Sequence, residues 1–253
     1  MRIRRRHGLL LAVAATATAV ALSAQGFRFR GGDVTTEPNP RYDGRFTFAR
    51  IRYEGYGGMT NEGPGWMHDY PRGERNLMKI MSEISTMKPR LDSSVVLSLG
   101  DPELFKYPVA YMSEPGYWQP SEADVEALRR YLEKGGFIIF DDFRREHWYN
   151  FEEQMRRVLP QARLVPLELS DPVFDSFFRI ETLEFVEGNF NLKAEFFGIY
   201  EDNDPKKRLL AVANYNNDIG DYWQWSDQGF APIEITNEAY KFGVNYVMYA
   251  MTH

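Results

Sequence analysis

The sequence predicts an α/β fold with a mainly parallel central sheet, helices on both faces and a β-rich C-terminal portion. Three observations carry this. Strand-length apolar runs alternate with amphipathic helices through the first half of the chain. The stretch Gly135–Asp142, Gly-Gly-Phe-Ile-Ile-Phe-Asp-Asp, has the profile of a buried central strand whose C-terminal end opens onto a polar crevice. From Arg163 onward, short apolar segments separated by turns replace the helices. The 253 residues, 43% apolar and 26% charged, allow one large domain or two small ones, and one is expected.

Residues 1–24 read as a Sec-type signal peptide. Arg2, Arg4, Arg5 and Arg6 form its basic start, Leu9–Leu22 its apolar stretch, and Ala21, Ser23 and Ala24 its cleavage site. The alternative is an uncleaved anchor, although the apolar run is shorter than the roughly 18–20 residues of a span. Residues 25–44, with Gly31-Gly32-Asp33 and Glu37-Pro38-Asn39-Pro40, read as a flexible leader, and 45–253 as the domain. Phe46–Tyr53 alternates apolar and polar residues as a strand does. Glu54–Tyr70 is a glycine-containing loop carrying Trp66, His68 and Asp69. It has no phosphate-binding glycine motif and reads as a surface loop over the sheet edge.

Pro71–Lys88 is the first helix, with Leu77, Ile80, Met81 and Ile84 on one face and Pro89 ending it. Strands follow at Val95–Leu99 and Tyr107–Met112. Ser121 opens the second helix as a capping box with Asp124; Val125, Leu128 and Leu132 line it and Gly135 stops it. After the strand at 137–140, Phe151, Met155, Val158 and Leu159 mark a third helix ended by Pro160. Leu164–Leu169, Leu183–Val186, Leu192–Tyr200 and Leu209–Tyr215 read as strands, either an antiparallel extension of the sheet or an inserted subregion. Tyr240, Val244, Val247, Met248 and Met251 take helical spacing to the C-terminus.

The chain has 30 Lys and Arg against 36 Asp and Glu. Residues 1–24 hold four arginines and no acid, so cleavage leaves 26 against 36, a net charge near −10. That balance disfavours nucleic acid and anionic membranes as partners. With no cysteine, disulfides, thiolate zinc sites and a cysteine nucleophile are excluded together. An exported protein, periplasmic or extracellular, without a stable membrane span after cleavage, fits these features.

The apolar runs end in polar clusters: Tyr53-Glu54, Asp101, Ser113-Glu114, Asp141-Asp142 and Asn214-Tyr215-Asn216-Asn217-Asp218. In a parallel sheet all five share one edge, where open α/β folds bind ligands. Asp141 and Asp142 are neighbours, so regular strand geometry points them to opposite faces. They could form an acid–base couple, or bind a divalent cation with Glu54, Glu114 or Asp218. Equally, one could cap a helix while the other accepts backbone N–H bonds. Ser113 stands roughly where a nucleophile elbow would lie, without its flanking glycines, and a relay would need His68 or His147. His147 is a candidate metal ligand or proton shuttle, or an exposed loop histidine. Asp221-Tyr222-Trp223-Gln224-Trp225 is either an aromatic platform for a ligand or core packing.

An ordered set of segments resembles the bacterial domain of unknown function 4159 family across about residues 46–252. The set comprises Phe48–Tyr53, Tyr111–Gly116, Leu128–Phe137 with Asp141-Asp142, Asp171–Phe174, Asn217–Gly220 with Trp223, and Phe242–Asn245. The resemblance implies a flavodoxin-like, class I glutamine-amidotransferase-like three-layer sandwich, a fold that hosts cysteine-dependent amidohydrolases beside members without known catalysis. Cysteine-dependent glutamine hydrolysis is excluded here. Glu114-Pro115-Gly116 also departs from the Gly-His-Gly-like sequence of many relatives.

Two functional expectations follow. The first is a non-catalytic module of the bacterial cell envelope that binds a small ligand or a partner protein in the strand-end crevice, or serves as a structural subunit there. The second is a hydrolase that depends on the carboxylates or on a divalent metal around Asp141 and Asp142.

Overall fold

The computed structural model describes residues 35–55, 63–184, 192–229 and 231–253. The signal-peptide reading and residues 25–34 of the expected leader lie outside them. Residues 36–253 make one unit, built on a seven-stranded sheet in the order β2-β1-β3-β4-β7-β6-β5. The strands are β1 (Ala49–Ile51), β2 (Val95–Leu97), β3 (Val109–Ser113), β4 (Phe137–Phe143), β5 (Val165–Pro166), β6 (Glu195–Tyr200) and β7 (Leu209–Tyr215). The first five in that order pair parallel; β7–β6 and β6–β5 pair antiparallel. The segment after Arg163 is therefore in part an antiparallel extension of the same sheet.

Among the described residues five α-helices flank it: α1 (Arg72–Ile84), α2 (Glu122–Glu133), α3 (His147–Val158), α4 (Ile219–Gln224) and α5 (Ile233–Thr252). Strand alternation divides the core between two faces. Val109, Tyr111, Phe137 and Ile139 pack with Leu77, Met81, Trp223, Phe242 and Tyr246 of α1, α4 and α5. Ala110, Met112, Ile138 and Phe140 pack with Leu128, Leu132, Phe151 and Met155 of α2 and α3. All seven residues of β4 are buried, as a central strand covered on both faces requires. The capping box of α2 closes in both directions, and Gly135 follows its C-cap with φ +106°, a conformation that glycine adopts at little cost. No helix among the described residues is long and apolar enough to cross a membrane.

Several boundaries differ from the sequence pattern. Helix α1 spans 72–84 rather than 71–88, and Ile84 is exposed while Gly73, Glu74, Leu77, Met78 and Met81 are buried. The buried stripe is rotated because it includes Glu74, which pairs with a buried arginine and so registers as polar in any hydrophobic count. Strand β5 is two residues long rather than six: Val165 and Pro166 pair with β6, the Leu167 N–H still donates to the Phe196 carbonyl at 2.8 Å, and Pro166 sits on this edge strand where it owes β6 no N–H. Leu183 and Glu184 lie in a bend, and residues 185–186 of that expected strand are outside the described residues.

The leader residues that are described dock onto the domain. The Asn39 side chain donates to the Val96 carbonyl at 2.9 Å and accepts from the Val96 N–H at 2.8 Å, on the outer side of edge strand β2. Glu37 pairs with Arg75, and Asp43 with Arg90, both at 2.6 Å.

Candidate functional site

At the C-terminal ends of β1, β3, β4 and β7 the chain brings together Asp69, Glu114, Asp141, Asp142 and Asp218 around His68 and Arg144. The arrangement begins with a bulge. Strand β4 pairs Phe140 with Ala213 and then Phe143 with Tyr215, so Asp141 and Asp142 together oppose Asn214. Asp142 takes φ +56° to accommodate the extra residue. The bulge corrects the strict-alternation expectation, because both carboxylates reach groups on the α1–α4 side of the sheet. Asp141 accepts from the Tyr111 hydroxyl at 2.8 Å, Asn214 Nδ2 at 2.9 Å, and the Ile219 and Gly220 N–H groups at 3.3 and 2.9 Å. Asp142 Oδ2 meets His68 Nδ1 at 2.7 Å, and its other oxygen accepts from Arg144.

The loop carrying His68 and Asp69 is fixed from below by Arg50 of β1, a residue that an alternating pattern assigns to the polar side of a strand. Arg50 is 1% exposed. Its Nε and Nη2 donate to the two oxygens of Glu74 at 3.1 and 2.8 Å, and its Nη1 donates to the carbonyls of Trp66 and His68 at 3.1 and 2.7 Å. Its guanidinium also lies 5.0 Å from the centre of the Tyr111 ring. Asp69 packs against α4 so closely that a Cβ on Gly220 would stand 2.1 Å from Asp69 Oδ2 and 2.8 Å from the Tyr111 hydroxyl. Gly220→Ala is therefore expected to destabilise the protein by about 1–3 kcal/mol through overpacking, despite alanine's better helix propensity, as read by urea denaturation.

Glu114 follows β3 with φ +49° and ψ +49°, and the Tyr53 hydroxyl donates to the carbonyls of Ser113 and Glu114 at 3.0 and 2.6 Å. The left-handed turn thus falls on Glu114, one residue after Ser113. Glu114 Oε2 has no hydrogen-bond partner, and a Cβ on Gly65 would stand 2.1 Å from it. Ser113 is fully buried and its Oγ has no partner, so neither His68 nor His147 is bonded to it. Asn217 is also buried with both side-chain polar atoms unpartnered, and Asp218 caps α4 by accepting from Asp221 N–H at 3.0 Å.

Other sequence candidates stand apart. Glu54 is exposed and its carbonyl accepts from Gln119 N–H, while Asp101 caps the 102–106 turn through Glu103 N–H at 2.9 Å. His147 packs on the Tyr117 ring at 4.6 Å, with Nδ1 unpartnered and its pKa lowered by burial. Trp223 lies in the core, tilted against Tyr111 at 5.9 Å, and donates to the Ala239 carbonyl at 3.0 Å. Among the described residues, two sets have donor atoms all within 4.8 Å of one another: His68 with Glu114 and Asp142, and His68 with Asp69 and Asp218.

Burial governs the electrostatics, and crowding of like charges adds to it. Burial raises the carboxyls of Asp69 and Asp218 well above the ordinary range, and neighbouring carboxylates add to it. Burial, then the Asp142 charge, brings Glu114 up to about 7 against the opposing pull of His68 and Arg144. For His68, burial opposes the charged form, but the Asp142 hydrogen bond and the nearby Asp69 and Asp142 charges outweigh it, raising the imidazole to about 10. Without divalent cations, the stabilisation from imidazolium is expected to be fully present below the unfolded pKa near 6.5. It is lost as pH rises through about 10, giving a fall in unfolding free energy over that window that Asp142→Asn flattens.

Comparison with known proteins places these residues in a family context. The family model described as Domain of unknown function (DUF4159) matches residues 47–251. No curated protein matches the chain.

Proposed function

We propose a function for a chain that belongs to the family described as Domain of unknown function (DUF4159): it is an exported, non-catalytic module of the bacterial cell envelope whose strand-end crevice binds a positively charged ligand. The observation that carries this reading is the gathering of Asp69, Glu114, Asp141, Asp142 and Asp218 at one end of the sheet, around His68 and Arg144. Buried like charges raise one another's energy unless a cation joins them. The strand order 2-1-3-4-7 supports the flavodoxin-like, glutamine-amidotransferase-like sandwich, since it matches the doubly wound order in which ligands sit at the β1/β3 switch point. The basic start and apolar run of residues 1–24 support export.

The test is a thermal-shift panel of metal chlorides, putrescine, a lysine-rich peptide and neutral sugars. A ligand that binds only the folded state raises the midpoint by mass action. The expected result is a rise with one or more cations and none with the sugars. A panel in which only neutral or anionic compounds shift the midpoint sinks the reading.

A hydrolase is the second reading, favoured by Glu114. It occupies a left-handed turn at a strand end and is brought to about 7, where a carboxyl can both give and take a proton. Asp141, with both oxygens engaged by donors, would position the crevice, and the chemistry would fall to Glu114 and Asp142.

A further inference from the structure

Resting on the cation-binding reading, we propose that His68, Glu114 and Asp142 hold a divalent transition-metal ion of the zinc, cobalt or manganese kind. One ring nitrogen and two carboxylate oxygens lie within 4.8 Å of one another. Ligands bound tetrahedrally at about 2.0–2.2 Å stand roughly 3.3–3.6 Å apart, so the ion takes the place of the 2.7 Å His68–Asp142 contact and draws Glu114 in beside it. An imidazole with two carboxylates suits these ions better than calcium or magnesium, which favour all-oxygen shells. Three protein ligands also leave positions for water or a bound ligand.

The surroundings fit a metal centre. Arg144 fixes the outer oxygen of Asp142 and lies 3.8 Å from Asp218, the kind of outer contact that orients a metal-binding carboxylate. Arg50 holds the His68 carbonyl, so the histidine is presented from a rigid base. Asp69 and Asp218 bring further carboxyl oxygens beside His68.

Ser113 gives an independent indication. It is fully buried and its Oγ lacks a hydrogen-bond partner, whereas buried hydroxyls are normally paired. Two residues beyond Tyr111 on β3 and in register with Asp141, its side chain shares their face and lies nearer the strand end. That is the side on which Arg50 anchors the His68 loop. A metal-bound water in the crevice gives that hydroxyl its partner.

The test uses the full-length chain, titrated by calorimetry with ZnCl2, CoCl2, MnCl2 and CaCl2 in turn, with putrescine as the organic cation and Co2+ followed by its visible absorption. Zinc, cobalt or manganese is expected to bind and raise the thermal midpoint, with calcium weaker. His68→Ala and Glu114→Gln are expected to weaken binding by at least the roughly 10–100-fold seen for outer-shell changes, and to remove the cobalt spectrum. Should His68→Ala fail to fold, the near-isosteric Glu114→Gln decides. Metal binding that is unchanged in the folded variants overturns the site. A putrescine shift without any metal shift overturns it while leaving the cation-binding reading standing, and no shift with any cation removes both.

Discussion

Arg50→Ala is expected to lower the unfolding free energy by about 3–5 kcal/mol, because it leaves Glu74 charged and buried without its partner. Both side chains of this pair are 1% exposed, so water cannot replace the lost cation without opening the core. Ser94 Oγ, which donates to Glu74 Oε1 at 3.1 Å, remains but carries no charge. The substitution also releases the carbonyls of Trp66 and His68, so the loop that presents His68 loses its anchor. Two readouts separate these effects. Urea denaturation reports the stability loss, and a double variant Arg50→Met/Glu74→Leu is expected to recover most of it, since apolar replacement of a buried pair is often neutral. Cation-induced thermal shift is expected to stay lost in the double variant, because no side chain then holds the two carbonyls. A single variant within about 1 kcal/mol of wild type, a value ordinary for exposed pairs, would show that the pair is not structural.

Asp141→Ala is expected to be comparably severe, at about 3–5 kcal/mol, for a different reason. Its two oxygens serve four donors from three elements: Tyr111 on β3, Asn214 on β7, and the first N–H groups of α4. Asn214 in turn accepts from the Tyr246 hydroxyl at 2.8 Å, which ties α5 into the same network. Removing the carboxylate strands buried donors at the point where the sheet meets two helices. Asp141→Asn keeps the shape but turns an N–H2 group toward partners that are themselves donors, and is expected to cost about 1–3 kcal/mol. Denaturant midpoints at neutral pH measure both. If Asp141→Ala unfolds at the wild-type midpoint, the carboxylate is not the keystone that its hydrogen bonds describe.

Much of the frame could be read from residue order. The Phe-Ile-Ile-Phe run of β4, the capping box at Ser121 and Asp124, and the apolar strand at 209–215 each declare themselves locally, through period, cap or continuous hydrophobicity. The gathering of strand ends is legible too, because parallel strands bring their C-terminal residues to one edge. What escaped depends on pairing. A bulge exists only relative to a neighbouring strand, so nothing within Phe-Asp-Asp-Phe announces that Asp142 rotates toward His68. Arg50 looks outward in an alternating strand until Glu74 appears opposite it, twenty-four residues later. His68 and Asp69 sit in a loop whose glycines suggest only a turn, and the signal that distinguishes them, the Asp69 φ of +68°, is a backbone property. Long-range partners turn polar residues from surface into site, and no window on the chain spans them.

The amide of Asn39 on Val96 has a consequence for self-assembly. An exposed strand margin is the usual template for uncontrolled cross-β growth between copies. Here one margin has its outward N–H and C=O at Val96 taken by a side chain of the same molecule, and the other ends on the two-residue strand containing Pro166. The sheet is closed to polymerisation by a single amide at one border and a missing proton at the other. Loss of the Asn39 side chain would leave the first border open to another chain.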